Sequence, residues 1–227
     1  MKDRLSLLDY LTVAVFAVQA GFALHVRVNG PTERVLPIHW NAAFEIDGWA
    51  SGKEFAVLLG GMAVIGLISG GGMGLYAMRA SIAGESPRAR TLRIGQGVIA
   101  FTVAILGLTI SAQTFGDLPP EGTARLSMAG LSLILLGTGA FLGRVAPNRL
   151  VGVRTPWSYK SRLAWDRSNR LAGRLLFLLG LIGLFTAPWT PQPAGTLSLI
   201  AAALVAAALS TFESWRVWRA DPNRRPL

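Results

Sequence analysis

Six long apolar runs, separated by shorter polar stretches, dominate this chain. Each run approaches or exceeds the roughly 20 mostly apolar residues that a helix needs to cross a membrane. The pattern therefore predicts an all-α integral membrane protein built as a bundle of six transmembrane helices. The predicted spans cover residues 10–26, 55–78, 94–116, 126–143, 171–189 and 196–215.

The composition agrees with this pattern. Hydrophobic residues make up 52% of the 227 residues and charged residues only 15%, whereas charged residues form about a quarter of a typical soluble domain. The chain has no cysteine, which excludes disulfides, thiolate metal sites and cysteine nucleophiles. Lys2 and Arg4 before the first run resemble the start of a signal peptide, but five further runs follow, and we expect the first run to be retained.

The formal charge of +10 is distributed unevenly between the loops. All but four of the 22 Lys and Arg residues lie in the N-terminus, the second and fourth loops, and the C-terminal tail. Because basic residues concentrate in cytoplasmic loops, this predicts that both termini are cytoplasmic. Anionic lipid at that surface explains the basicity. We expect no nucleic-acid partner, because the chain has no soluble domain to form a binding groove.

The first outer loop, residues 27–54, is rich in groups that can bind a metal. Imidazole and carboxylate groups at His39, Glu45 and Asp47 could converge on a divalent cation. The same groups, together with Asn41, could instead cap turns, and their spacing matches no specific ligand pattern. We therefore expect no cofactor, with a divalent metal at this loop as the alternative.

The fourth loop, residues 144–174, predicts a short amphipathic helix at the inner membrane surface, leading into the fifth span. Pro156 favours an extended residue before it, and Ser158 or Ser161 could cap a helix that starts nearby. Four charged side chains would then follow at four-residue steps along one face: Arg162, Asp166, Arg170 and Arg174. This surface either lies against lipid or forms a site for an anion or a partner protein on Arg154, Arg170 and Trp157.

The inner loop and the start of the fifth span carry a recognisable set of residues: Asn148, Gly152, Arg154, Thr155, Pro156, Trp157, Ser158, Trp165, Arg170 and Gly173. With these residues the segment resembles the SdpI family of bacterial membrane proteins, which is named for immunity to a secreted toxin. The outer loop resembles the domain of unknown function that commonly precedes the SdpI region. That second resemblance rests on Pro37, His39, Trp40, Asn41, Glu45, Asp47 and Trp49.

The resemblance implies a domain organisation. Residues 1–80 would form an N-terminal two-span region that carries the outer loop. Residues 94–216 would form a four-span SdpI-like region, and residues 217–227 a basic cytoplasmic tail. Three positions depart from the family pattern: Phe44 replaces a usual glycine, Arg144 a common asparagine, and Asn169 a usual histidine.

The resemblance also implies a non-catalytic protein of the bacterial inner membrane, which gives immunity to a membrane-active peptide toxin or senses it. A peptide toxin would meet the outer face, membrane lipid would surround the bundle, and a cytoplasmic regulator would dock at the inner face. One alternative is a transporter or flippase for an anionic lipid or peptide, which would use polar residues inside the bundle: Gln19, Gln96, Thr102, Thr109 and Gln113. Another is an outer-face membrane enzyme that uses the metal described above.

Overall fold

The computed structural model describes residues 5–30, 35–148 and 150–224. Six helices in these ranges are long and apolar enough to cross a membrane, which confirms the predicted six-helix fold. They are α1 (Leu7–Asn29), α2 (Gly52–Ile82), α3 (Ser86–Phe115), α4 (Pro120–Leu142), α5 (Arg162–Thr186) and α6 (Ala194–Ala220). The direction in which the bundle crosses the membrane stays a prediction of the charge distribution.

All six helices are longer than the apolar runs that predicted them, because polar turns at their ends are also helical. The start of α2 shows the cause. Ser51 Oγ accepts a hydrogen bond from the Glu54 backbone N–H, and the Glu54 carboxylate accepts one from the Ser51 N–H at 2.7 Å. This reciprocal pair satisfies donors that a helix start otherwise leaves without partners.

The amphipathic segment before the fifth span is helical, but it is not a separate helix. It forms the first three turns of α5, which runs unbroken from Arg162 to Thr186. No proline or glycine interrupts residues 162–172, so the helix has no point at which to turn onto the membrane surface. The predicted cap at Ser161 is confirmed, since its Oγ accepts from the Ala164 N–H at 3.0 Å.

A small β-hairpin joins α1 to α2, and the sequence patterns did not predict it. Strand β1 (Leu36–Trp40) pairs antiparallel with β2 (Ile46–Ala50). The hairpin rests on the helices through a cluster of five buried apolar residues: Ala23, Val26, Leu36, Phe55 and Leu59. Thr114, near the end of α3, also donates from Oγ1 to the Pro37 carbonyl at 2.8 Å.

The bundle consists of two groups of three helices. In the first, α2 packs along both α1 and α3, and in the second, α5 packs along both α4 and α6. Glycines bring α4 and α5 close together: a Cβ on Gly173 would lie 3.0 Å from the Gly139 carbonyl oxygen. Such small-residue contacts are a common means of helix association in membranes.

Helix α3 and helix α4 join the two groups. The Gln113 side chain donates from Nε2 to the Thr123 carbonyl at 3.0 Å and to Ser127 Oγ. Nothing in the packing tests the predicted boundaries at 1–80, 94–216 and 217–227, which stay predictions. Parts of the predicted loops and tail, including Arg34, Arg149 and residues 225–227, lie outside the described residues.

Candidate functional site

The two segments singled out by the sequence lie at opposite ends of the bundle. The first is the hairpin, residues 36–50, between α1 and α2. The second, here called the signature loop, comprises residues 143–161 between α4 and α5. Because the helices alternate in direction, α3 passes between the two ends: Thr114 contacts the hairpin, and Thr91 Oγ1 accepts from the Ala146 N–H of the signature loop at 3.2 Å.

The hairpin brings two of its predicted site residues into hydrogen-bond contact. His39 Nδ1 lies 2.5 Å from Asp47 Oδ1, and the side chains of His39 and Asp47 are 71% and 44% exposed. The register explains this contact, because Gly48 lies opposite His39 and leaves room beside the imidazole. Trp49 on β2 is also exposed, while Trp40 on β1 is partly buried. The hairpin therefore presents polar and aromatic groups to its surroundings.

The turn of the hairpin depends on Asn41. Its Oδ1 accepts from the backbone N–H groups of Ala43 and Glu45 at 2.8 and 3.1 Å, and its Nδ2 donates to the Glu45 carboxylate. Phe44 has a φ of 61°, in the left-handed region where glycine is favoured. The turn thus keeps the backbone shape that a glycine would give, although a phenylalanine occupies the position.

The three candidate metal ligands are divided between these contacts. His39 pairs with Asp47, while Glu45 is bonded to Asn41. In the described parts of the chain, no three His, Cys, Asp or Glu side chains are grouped closely enough to hold a metal ion. The metal at this loop stays a prediction, and the described geometry brings together two of its three ligands.

The first half of the signature loop is folded around Asn148. The Asn148 amide donates to the Ala146 and Val151 carbonyls at 2.8 and 2.9 Å, and its Oδ1 accepts from the N–H groups of Leu150 and Val151 at 2.7 Å. Tyr159 adds a bond from its hydroxyl to the Asn148 carbonyl. Four hydrogen bonds from one side chain replace the regular backbone pairing that a loop lacks.

The second half of the signature loop is held by two reciprocal hydrogen bonds between Thr155 and Ser158. The Thr155 N–H donates to Ser158 Oγ at 2.9 Å, and the Ser158 N–H donates to Thr155 Oγ1 at 3.0 Å. Thr155 Oγ1 also lies 2.7 Å from Ser214 Oγ on α6. Both side chains are buried. They hold the loop against α6.

Beneath the loop lie Trp165 and Asn169, both on α5 and both essentially inaccessible. Trp165 donates from Nε1 to the Val145 carbonyl at 2.8 Å. Asn169 accepts from the Val153 N–H at 2.7 Å and donates to the Trp165 carbonyl at 3.0 Å. Gly152 passes over them with a φ of 126°, and a Cβ there would lie 2.7 Å from Asn169 Oδ1. This position therefore requires glycine for both conformation and space.

The remaining predicted residues of the signature loop face outward. Arg154 and Pro156 are exposed, Trp157 is partly buried, and Arg170 is exposed on α5. Gly173 belongs to the contact with α4 described above. The predicted set thus separates into a buried group that shapes the loop and a group that is exposed or partly exposed.

The sequence did not reveal a polar cluster that joins α1 to α3. Asp9 forms an ion pair with Arg93, Gln96 Nε2 donates to Asp9 Oδ1 at 2.9 Å, and the same Nε2 lies 3.1 Å from Thr12 Oγ1. A Cβ on Gly74 of α2 would lie 2.9 Å from Gln96 Nε2. The signals in the sequence were the acidic Asp9 beside an apolar run and Gln96 within the third run.

The fold and the two segments define a multi-pass membrane protein of six helices. Residues 144–214 match the model of the SdpI/YfhL protein family. Immunity protein SdpI of Bacillus subtilis (strain 168) is 28% identical over 94 residues, which are 40% of this chain and 43% of that protein. The match spans less than half the length of this relative. No solved structure matches the chain.

The matched region covers most of the signature loop together with α5 and most of α6. The buried residues that shape the signature loop therefore lie within it. This part of the chain is therefore similar to the SdpI/YfhL family. The family match does not extend to the hairpin, whose likeness to the domain of unknown function stays a prediction.

Proposed function

We propose that this chain is a non-catalytic protein of the bacterial inner membrane that gives immunity to a membrane-active peptide toxin or senses it. The observation that carries the proposal is the match of its signature loop and of α5 and α6 to the family of an immunity protein. Fold alone would not support a function. Here the matched range contains a particular loop and the helix beneath it, which makes it more informative than a shared helix count.

The proposal assigns a role to each end of the bundle. The hairpin would face outward and meet the toxin with exposed groups such as His39, Asp47 and Trp49. The signature loop would face the cytoplasm, where Arg154, Pro156 and Trp157 would contact a regulator. The basic loops support this orientation through the positive-inside rule.

A sensor must also couple its two ends. Helix α3 supports such coupling, since Thr114 bonds to the hairpin and Thr91 bonds to the signature loop. A Cβ on Gly95 would also lie 3.1 Å from Val151, so the loop packs directly on α3. A displacement of the hairpin could therefore reach the signature loop along one helix.

The transporter and the metalloenzyme remain the alternative functions. The Gln96 and Gln113 side chains form hydrogen bonds between helices. Because these bonds explain their presence in the bundle, the two residues add no support for a transport path. The metalloenzyme gains no support either, because Glu45 bonds to Asn41 while His39 pairs with Asp47.

Growth under toxin challenge tests the proposal. A strain lacking the gene is exposed to a panel of membrane-active peptides, with and without the gene on a plasmid. The proposal expects selective rescue from one peptide or a few related ones. Equal sensitivity to every peptide, with the protein present in the membrane, would reject it.

A further inference from the structure

A long apolar groove runs along the membrane-spanning part of α1 and α3, outside both segments discussed above. Its volume is about 990 Å³, and its walls come mainly from these two helices, with Leu59 of α2 at the base. Along α1 the lining extends from Ala14 to Gly30, a length of about 24 Å at the helical rise of 1.5 Å per residue. The groove therefore runs from the middle of the membrane to the base of the hairpin.

Gln19 places a polar group at the membrane midpoint of this groove. The residue is only 9% exposed and lies near the centre of α1. Its Nε2 donates to the Leu59 carbonyl at 3.2 Å. Because a carbonyl oxygen can only accept, this contact fixes which end of the Gln19 amide is the nitrogen and which is the oxygen. Within the described residues, Gln19 Oε1 accepts no hydrogen bond. An acceptor that faces hydrocarbon without a donor is costly.

The α3 wall consists largely of small residues. Ala104, Gly107, Ser111 and Ala112 line it, and a Cβ on Gly107 would lie 3.0 Å from Gln19 Oε1. Small residues at such spacings allow a second helix to approach closely in membranes. A stripe of this kind beside an unsatisfied acceptor suits a helix that brings its own hydrogen-bond donor.

From these features we infer that the groove receives an apolar helical peptide segment, which donates a side-chain hydroxyl or N–H to Gln19 Oε1 near the membrane midpoint. This inference rests on the proposed function, and it names the class of peptide and the place where the peptide binds. An acyl chain would fill the apolar walls but would leave the Gln19 oxygen without a donor.

The groove is also continuous with the support of the hairpin. Val26 and Leu59 line the groove and belong to the apolar cluster that holds Leu36 of the hairpin. An occupant that presses on these two residues would therefore press on the base of the hairpin. This connects binding within the membrane to the end of the bundle that the proposed function assigns to the toxin.

Photo-crosslinking in vesicles tests the inference. The full chain is reconstituted in vesicles of phosphatidylcholine and phosphatidylglycerol, with a benzophenone amino acid at Val18 in the groove or, as the matched control, at Val205 on α6. Val18 and Val205 are both exposed. The probes are two Leu/Ala helical peptides of about 20 residues, long enough to span; one has a central serine and its twin has alanine.

We expect the serine peptide to crosslink at Val18 and not at Val205. The alanine twin should give about three- to thirtyfold less adduct, the range expected for one hydrogen bond between membrane helices. Gln19→Leu should abolish this preference, and Ala112→Phe should block the groove. Ala201→Phe on the exposed face of α6 should change nothing.

Three results would overturn the inference: adducts only with lipid at Val18, equal adducts at Val18 and Val205, or equal adducts with both peptides. The growth assay separates this failure from that of the proposed function. Rescue that survives Ala112→Phe at normal protein level would reject the groove and keep immunity. Selective crosslinking without rescue from any toxin would keep the groove and reject immunity.

Discussion

The hairpin and the signature loop use similar residues in opposite ways. In the hairpin, backbone pairing and the apolar cluster under Leu36 supply most of the shape. Apart from Asn41 in the turn, polar side chains such as His39 and Asp47 remain exposed. The described residues of the signature loop form no backbone ladder, and polar side chains such as Asn148 and Ser158 supply the shape instead. The comparison shows that polar residues singled out by the same resemblance can be structural at one end of the molecule and exposed at the other.

The difference between buried and exposed polar residues also ranks the candidate functional residues by the effect expected from their substitution. Trp165, Asn169, Thr155 and Ser158 are buried and fully engaged, so their substitution should damage the fold of the loop. Arg154 and Pro156 are exposed in the same loop, and their substitution should affect binding first. The variants below test this division, beginning with the largest expected effect.

Trp165→Ala should destabilise the protein most. Trp165 is completely buried and donates to the Val145 carbonyl, so the change leaves both a cavity and an unpaired carbonyl. We expect a loss of about 3–5 kcal/mol, measured as unfolding in detergent. The matched control is Trp157→Ala in the partly buried position of the same loop. Similar losses from both variants would contradict the proposed division.

Asn169 offers a sharper test, because its two hydrogen bonds need one acceptor and one donor. A neutral histidine also supplies one of each, so Asn169→His should fold nearly as well as the natural chain. Asn169→Leu should lose about 1–3 kcal/mol by leaving buried backbone groups unpaired. The same unfolding measurement applies, and equal stability of the two variants would rule out the assigned role of this side chain.

In the hairpin, Phe44→Gly should stabilise the protein slightly. The φ of 61° strains a residue with a Cβ, and glycine would relieve that strain. Because glycine also loses more chain entropy on folding, we expect a net gain in the free energy of unfolding of about 0.5–1 kcal/mol. The neighbouring Ala43→Gly variant serves as control, since Ala43 is not in the positive-φ region. Amide exchange at the turn would reveal the effect, and faster exchange in Phe44→Gly would count against the explanation.

Asp47→Asn should have the smallest effect on stability. The His39–Asp47 pair is largely exposed, and exposed ion pairs typically contribute between zero and about 1 kcal/mol. A variant that unfolds as the natural chain does, yet loses protection, would identify the pair as part of a binding surface. A substantial loss of stability would show instead that the pair holds the hairpin together.

Apolar runs were sufficient to predict the six helices, because the membrane requires each span to satisfy its own backbone. The same signal placed the start of α5 nine residues too late, since the first turns from Arg162 carry charge and are nevertheless helical. Capping chemistry supplied the missing boundary at Ser161. The hairpin escaped prediction because its two strands are short and show no regular alternation of apolar and polar residues.

The predicted site residues were selected by resemblance, which does not distinguish binding from architecture. Trp165 and Gly152 are brought together only when the loop folds over α5, and local patterns contain no such information. The ion pair between Asp9 and Arg93 joins α1 to α3, which are far apart in the sequence. It could not be predicted from local patterns for the same reason. Tertiary contacts decided each of these cases.

The most direct test of the account compares rescue by the natural chain with rescue by Arg154→Ala, at matched membrane levels, under challenge with the peptide that the growth screen identifies. Arg167→Ala on the exposed face of α5 is the control for a lost positive charge. The account predicts that the natural chain and Arg167→Ala protect, while Arg154→Ala folds normally and does not protect. Normal protection by Arg154→Ala would contradict it.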